Sequence, residues 1–206
     1  MNQRKNKEKS GFKNVLLVDG AYLKYGFKEM KNRFDTDSKL LRFDKQAIAS
    51  FFDQIALTLG HDFDRKYFFD ACEGFTSWAI QSKEFEQLIK NGFKLDVREF
   101  KVKSSKCQQC DARINQKVQA EVDVAIATKL IDSSLQEGTE TITLLAGDRD
   151  FYDSIQYALR RCKSVEIVAF RASLSHKLKQ LKCKIVLLDP LFDPKIAPIA
   201  VAPPSQ

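Results

Sequence analysis

The stretch Thr141–Tyr152, reading TITLLAGDRDFY, constrains the fold more than any other part of the chain. Thr141 to Leu145 is a short apolar, β-branched run with the length and composition of a buried strand. Ala146-Gly147 ends it, Asp148 and Asp150 follow, and a helical pattern resumes at Phe151. The same order recurs near the start of the chain. Asn14 to Val18 is continuously apolar, Asp19-Gly20 follows, and apolar periodicity runs from Ala21 to Met30. Strands that end in an acid and lead at once into helices belong to α/β folds with parallel sheets.

The rest of the chain keeps that alternation. Lys31 to Arg42 reads as a polar loop, and Asp44 can cap a helix with Ile48, Phe51, Phe52, Ile55 and Leu59 on one face, closed by Gly60. Phe63 to Ala71 is a second strand whose run of Tyr67, Phe68 and Phe69 suits burial on both faces. Phe75 to Lys90 is amphipathic and ends at Asn91-Gly92. Phe93 to Val102 alternates as a third strand, and Lys103 to Lys117 reads as a polar loop. A helix starting at Val118 or Glu121 carries Val122, Ile126, Leu130 and Ile131. Beyond Thr141–Leu145 come a helix over Phe151–Arg161, a strand over Val165–Phe170, a short helix over Leu174–Leu181 and a last strand over Lys184–Leu188. The expected architecture is a three-layer α/β/α sandwich around a mainly parallel central sheet. Residues 1–13 read as a basic disordered arm, 14–189 as one domain, and 190–206 as a Pro-rich tail.

At 206 residues the chain suits one well-buried domain. No apolar run reaches the roughly 20 residues that span a bilayer, and Met1–Lys9 has no apolar core of a secretory signal. Five scattered cysteines suit reduced thiols, so a cytoplasmic setting is expected, and the net charge of +7 favours a polyanionic partner.

In open α/β sheets, ligands bind outside the carboxyl ends of the strands. Asp19, Asp123, Asp148 and Asp150 are all expected at that edge. An Asp in such a place can also serve only as a helix cap, and for Asp150 alone capping is an equal alternative. Carboxylates crowded together repel and raise one another's pKa unless a cation sits among them. Mg²⁺ or Mn²⁺ would relieve the repulsion and could activate water toward a phosphodiester. Asp70 and Glu73 are weaker candidates for the same site and read more readily as strand-end surface acids.

The bases between Lys94 and Lys117, namely Lys94, Arg98, Lys101, Lys103, Lys106, Arg113 and Lys117, could hold a phosphate backbone or form only a solvated face. Tyr22, Tyr25 and Phe100 are candidates for stacking on unpaired bases, although core packing suits Phe100 better. Cys107 and Cys110 form one CxxC knuckle, which could be simply a reduced hairpin tip or half of a structural zinc site. Its completion would need Cys72, Cys162, Cys183, His61, His176 or a second subunit, so a homodimer is left open.

Three ordered blocks, VLLVDGAYL at Val15–Leu23, VDVAIATKLI at Val122–Ile131 and LLAGDRDF at Leu144–Phe151, resemble the signature blocks of the NYN domain, a branch of the PIN-like nucleases. The resemblance extends through YFFDACEG at Tyr67–Gly74 and covers roughly Asn14 to Asp189. It implies a PIN-like sandwich that cleaves RNA, single-stranded by preference, with divalent metal. Asp19 and Asp148 would be the direct ligands, and Asp123 and Asp150 would complete the shell. The chain departs from the pattern at Tyr22, where many relatives have Asn, at Lys129, where many have a further acid, and at Arg149. The last could clamp a phosphate or neutralise its acidic neighbours. These departures keep a second expectation open, a weakly active or inactive RNA-binding or assembly module on the same fold. A haloacid-dehalogenase-type phosphatase would need Asp-x-Asp after the first strand, where this chain has Asp19-Gly20-Ala21.

Overall fold

The computed structural model describes residues 13–34, 44–72, 83–106, 109–110, 112–118, 121–161, 164–193 and 200–201. Strand β1 (Asn14–Asp19) lies inside the sheet, and its alternating side chains feed two different cores. Val15 and Leu17 pack on one face, Leu16 and Val18 on the other, and all four are at most 1% exposed. This double burial is why β1 reads as an unbroken apolar run.

Helix α1 (Gly20–Phe34) follows β1 without a linker, and α2 (Lys45–Leu59) is capped by Asp44, whose side chain accepts from the Gln46 and Ala47 backbone N–H groups. The expected loop at Lys31–Arg42 is therefore partly helix, because α1 runs on to Phe34. Strand β2 (Arg65–Cys72), helical residues 83–90 as α3, and β3 (Phe93–Glu99) come next. The chain then forms a hairpin, β4 (Lys101–Lys106) against β5 (Arg113–Val118), where the sequence reading expected the end of β3 and a polar loop. Lys-Val-Lys-Ser-Ser-Lys has little apolar surface to bury, so its only strand signal is cross-strand backbone pairing, which is not written in hydropathy.

Helix α4 (Val122–Leu135), β6 (Thr141–Leu145), α5 (Tyr152–Leu159), β7 (Ser164–Ala169), α6 (His176–Lys179), β8 (Lys184–Leu187) and β9 (Ala200–Val201) complete the order. Short 3₁₀ turns at Arg149–Phe151, Arg171–Ser173 and Asp189–Leu191 sit between them. Among the described residues one sheet has the order β3-β2-β1-β6-β7-β8-β9. Six of its strands are parallel, and β9 is antiparallel to β8. A piece of the expected tail thus serves as an edge strand.

Residues of α1, α2 and 83–90 share a core with Leu16, Val18, Phe68 and Val168, while α4, α5 and α6 share the other with Val15, Leu17, Phe69 and Ile142. The result is the three-layer α/β/α sandwich. Successive strands step outward from β1 on one side through β2 and β3, and the chain then returns to β6 on the other side. The β1/β6 boundary is therefore the topological switch point, and its carboxyl edge is the expected crevice.

Candidate active site

Asp19 is the last residue of β1 and is only 8% exposed. Its Oδ1 accepts from the Tyr22 backbone N–H at 3.0 Å, so the acid also caps α1. Burial pushes its pKa from 3.8 up to about 6 against the pull of that hydrogen bond, with added repulsion from Asp123 and Asp70. Gly20 leaves space the site needs, since a Cβ there would lie 2.6 Å from the Phe68 ring and 2.7 Å from the Phe69 carbonyl oxygen.

Asp123 stands in the first turn of α4. Its carboxyl is also raised, first by desolvation and then by the charges of Asp148 and Asp150. Glu121 starts this helix at φ 88°, the only positive φ outside glycine among the described residues. A left-handed conformation costs a side-chain-bearing residue on the order of 1 kcal/mol or more. That strain sits two residues before Asp123, where the chain turns into α4.

After β6, Ala146 and Gly147 are buried and Asp148, Arg149 and Asp150 emerge into solvent. Asp148 Oδ1 accepts from the Asp150 backbone N–H at 3.0 Å and caps the 3₁₀ turn. Capping thus falls to Asp148 as well as to Asp19, and Asp150 supplies the capped N–H. Arg149 does not fill the space between the acids. Its side chain is 76% exposed and its Nε lies 3.8 Å from Asp150 Oδ1, an exposed pair worth little.

Electrostatically the acids form a series, with Asp70 acting on Asp19, Asp19 feeling Asp123, and Asp123 feeling Asp148 and Asp150. Four separate segments supply it. Among the described residues no three or more His, Cys, Asp or Glu side chains are gathered as a ready-made metal cage.

The sequence reading of Asp70 as a surface acid is overturned. It is 2% exposed, and its Oδ2 accepts from Lys24 Nζ at 2.7 Å. Lys24 also reaches Glu84 at 3.5 Å. Lys24 was missed, and the signal was available: an acid at the end of the all-apolar YFF run lies in the sheet, where a carboxylate needs a cation. Glu73 lies outside the described residues.

Tyr22 is not a free stacking platform. Its hydroxyl accepts from the Phe170 backbone N–H and the Ser173 hydroxyl, each at 2.9 Å, and burial pushes its pKa up to about 12. The ring ties α1 to the turn after β7. Tyr25 is 60% exposed, and Phe100 packs against the core. A Cβ on Gly147 would lie 2.4 Å from the Ser173 carbonyl oxygen and 2.7 Å from the Tyr22 hydroxyl, so only glycine lets this brace close over the Asp148 loop.

Lys129, where the family pattern suggests an acid, donates to Asp132 at 2.8 Å and lies 4.7 Å from the Tyr67 ring centre. Arg113 is exposed in the hairpin, where the backbone register pairs it with Lys106 and pairs Lys117 with Val102. The side chains of Lys101, Lys103, Lys106 and Lys117 lie outside the described ones. Cys107 and Cys162 also lie outside. Cys110 is an exposed free thiol, Cys72 and Cys183 are buried, and neither these nor His61 or His176 belong to a metal-binding group among the described residues.

A parallel sandwich with acids from three segments at its switch point defines a PIN-like nuclease fold. The NYN domain model matches residues 13–187, and the chain belongs to the NYN domain family, within the PIN-like nuclease superfamily. No curated protein and no solved structure matches it significantly. No helix among the described residues is long and apolar enough to cross a membrane.

Proposed function

We propose that the chain hydrolyses RNA phosphodiester bonds with a divalent cation, Mg²⁺ or Mn²⁺, at Asp19, Asp123, Asp148 and Asp150. One observation carries this reading. At the switch point burial, with added repulsion from neighbouring carboxylates, raises the pKa of Asp19 to about 6 and raises that of Asp123 as well. The donor set is all hard oxygen, which suits a small cation that keeps part of its water shell and needs few protein ligands. Asp19 and Asp148 would hold it, with Asp123 and Asp150 orienting the bound waters. When bound, such a cation lowers the pKa of water and neutralises charge developing on phosphate.

The protein's own residues supply the rest. The Tyr22 N–H fixes Oδ1 of Asp19. The Asp150 N–H does the same for Asp148. Arg149, exposed beside them, offers a guanidinium fork to a substrate phosphate. The family's chemistry and the charge of +7 support RNA as substrate, and buried free thiols at Cys72 and Cys183 support a cytoplasmic setting.

A second reading, RNA binding without turnover, is favoured by the absence of a gathered ligand cage among the described residues and by Lys129 on α4. The two separate in one assay. Labelled single-stranded RNA is incubated with Mn²⁺ or Mg²⁺ and wild-type protein, Asp19→Asn or Asp148→Asn. Metal-dependent cleavage that falls by about a hundredfold or more in each variant is expected. Cleavage that survives EDTA or both substitutions refutes the site, and binding without cleavage establishes the second reading.

A further inference from the structure

On one face of the sheet, α4 runs alongside strands β2 and β3. A groove of about 1090 Å³ runs there. Tyr67 and Phe69 of β2 form its floor, and β3 places Lys94 and Asp96 beside them in register on that face. The opposite wall is α4, from Glu121 to Asp132, about 16 Å of helix at 1.5 Å per residue. One end of the groove, at Glu121 and Val124, lies at the first turn of α4, the turn that carries Asp123.

Its charges are unevenly committed. Asp96 is tied to Arg98 by contacts of 2.7 and 2.9 Å. Lys129 pairs with Asp132, but that carboxylate is half exposed, and such a pair exchanges readily for a better anion. Lys94 is exposed, and its contact among the described residues is the Tyr67 ring, 5.9 Å from Nζ to the ring centre. Two ammonium groups thus lie over one aromatic ring in a concave surface.

We propose that this groove is a subsite for single-stranded nucleic acid that starts at the turn carrying Asp123. Lys94 and Lys129 each turn from the Tyr67 ring to a backbone phosphate, and an unpaired base takes their place on the ring. Aromatic floors with flanking bases bind single strands because every unpaired base has a stacking face, which a duplex conceals. The direction of the strand toward the acids rests on the nuclease reading; the binding does not.

The test is fluorescence anisotropy of a labelled single-stranded RNA in EDTA, across a salt series, with wild type and the double variant Lys94→Gln/Lys129→Gln. Gln keeps most of each side-chain stem, and circular dichroism and melting confirm folding. We expect binding at least about tenfold weaker and a log–log salt slope shallower by about 1.4, roughly 0.7 for each lost phosphate contact on a single strand. Photocrosslinking of a 5-iodouracil oligonucleotide should map to the peptide carrying Tyr67. Unchanged affinity and slope, equal competition by duplex RNA, or no RNA binding by wild type overturns the subsite. A wild type that cleaves with metal while the double variant keeps its KM rejects the subsite and spares the nuclease. A wild type that never cleaves, with binding lost in the variant, does the reverse.

Discussion

Replacing Asp19 with Asn should stabilise the metal-free protein at neutral pH. Burial of Asp19, with Asp123 and Asp70 near it, holds its pKa at about 6 instead of 3.8. The folded state therefore binds the proton more tightly than the unfolded state, and stability falls as pH rises through the window from 3.8 to about 6. The cost is fully present above that window. At 1.36 kcal/mol per unit, about two units amount to about 3 kcal/mol. Asn mimics the neutral acid, and its Oδ1 can still accept the Tyr22 N–H. In EDTA at pH 7.5 the variant should melt roughly 6–12 °C higher than wild type, using about 2–4 °C per kcal/mol for a chain of this size. Near pH 4 the gain should shrink toward nothing. Mn²⁺ should raise the melting point of wild type by mass action and leave the variant nearly unmoved. A variant no more stable than wild type at pH 7.5, or equally stabilised at both pH values, refutes the idea that Asp19 is a strained acid awaiting a cation.

Two further substitutions probe the brace over the Asp148 loop. Gly147→Ala forces a Cβ against the Ser173 carbonyl and the Tyr22 hydroxyl, so a loss of about 1–3 kcal/mol by urea melt, with reduced cleavage, is expected. A neutral result would mean the loop moves freely. Tyr22→Phe deprives the Phe170 N–H and the Ser173 hydroxyl of their acceptor and should cost about 1–3 kcal/mol in the same melt while leaving RNA affinity unchanged. Loss of RNA affinity without loss of stability would instead make Tyr22 a binding residue.

Much of this was legible in the chain alone, because the informative signals were local. Continuous apolar runs such as Val15–Val18 cannot be half-exposed strands, so a sheet covered on both faces followed directly. Asp44 and Gly60 bounded α2 through their own cap chemistry. The acids Asp19, Asp123 and Asp148 were visible because each ends a strand or opens a helix, and parallel topology sends all such ends to one edge. Only the tertiary structure could decide which acids are buried and what neutralises them. Asp70 looked like a surface residue until β2 proved central enough to bury it and α1 brought Lys24 to 2.7 Å. Tyr22 looked like a stacking ring until the turn after β7 claimed its hydroxyl. The groove between α4 and β3 depends on how a helix lies against a sheet, which no single segment encodes. Hydropathy and capping act within a few residues of chain, whereas desolvation and ion pairing depend on partners that only folding brings together.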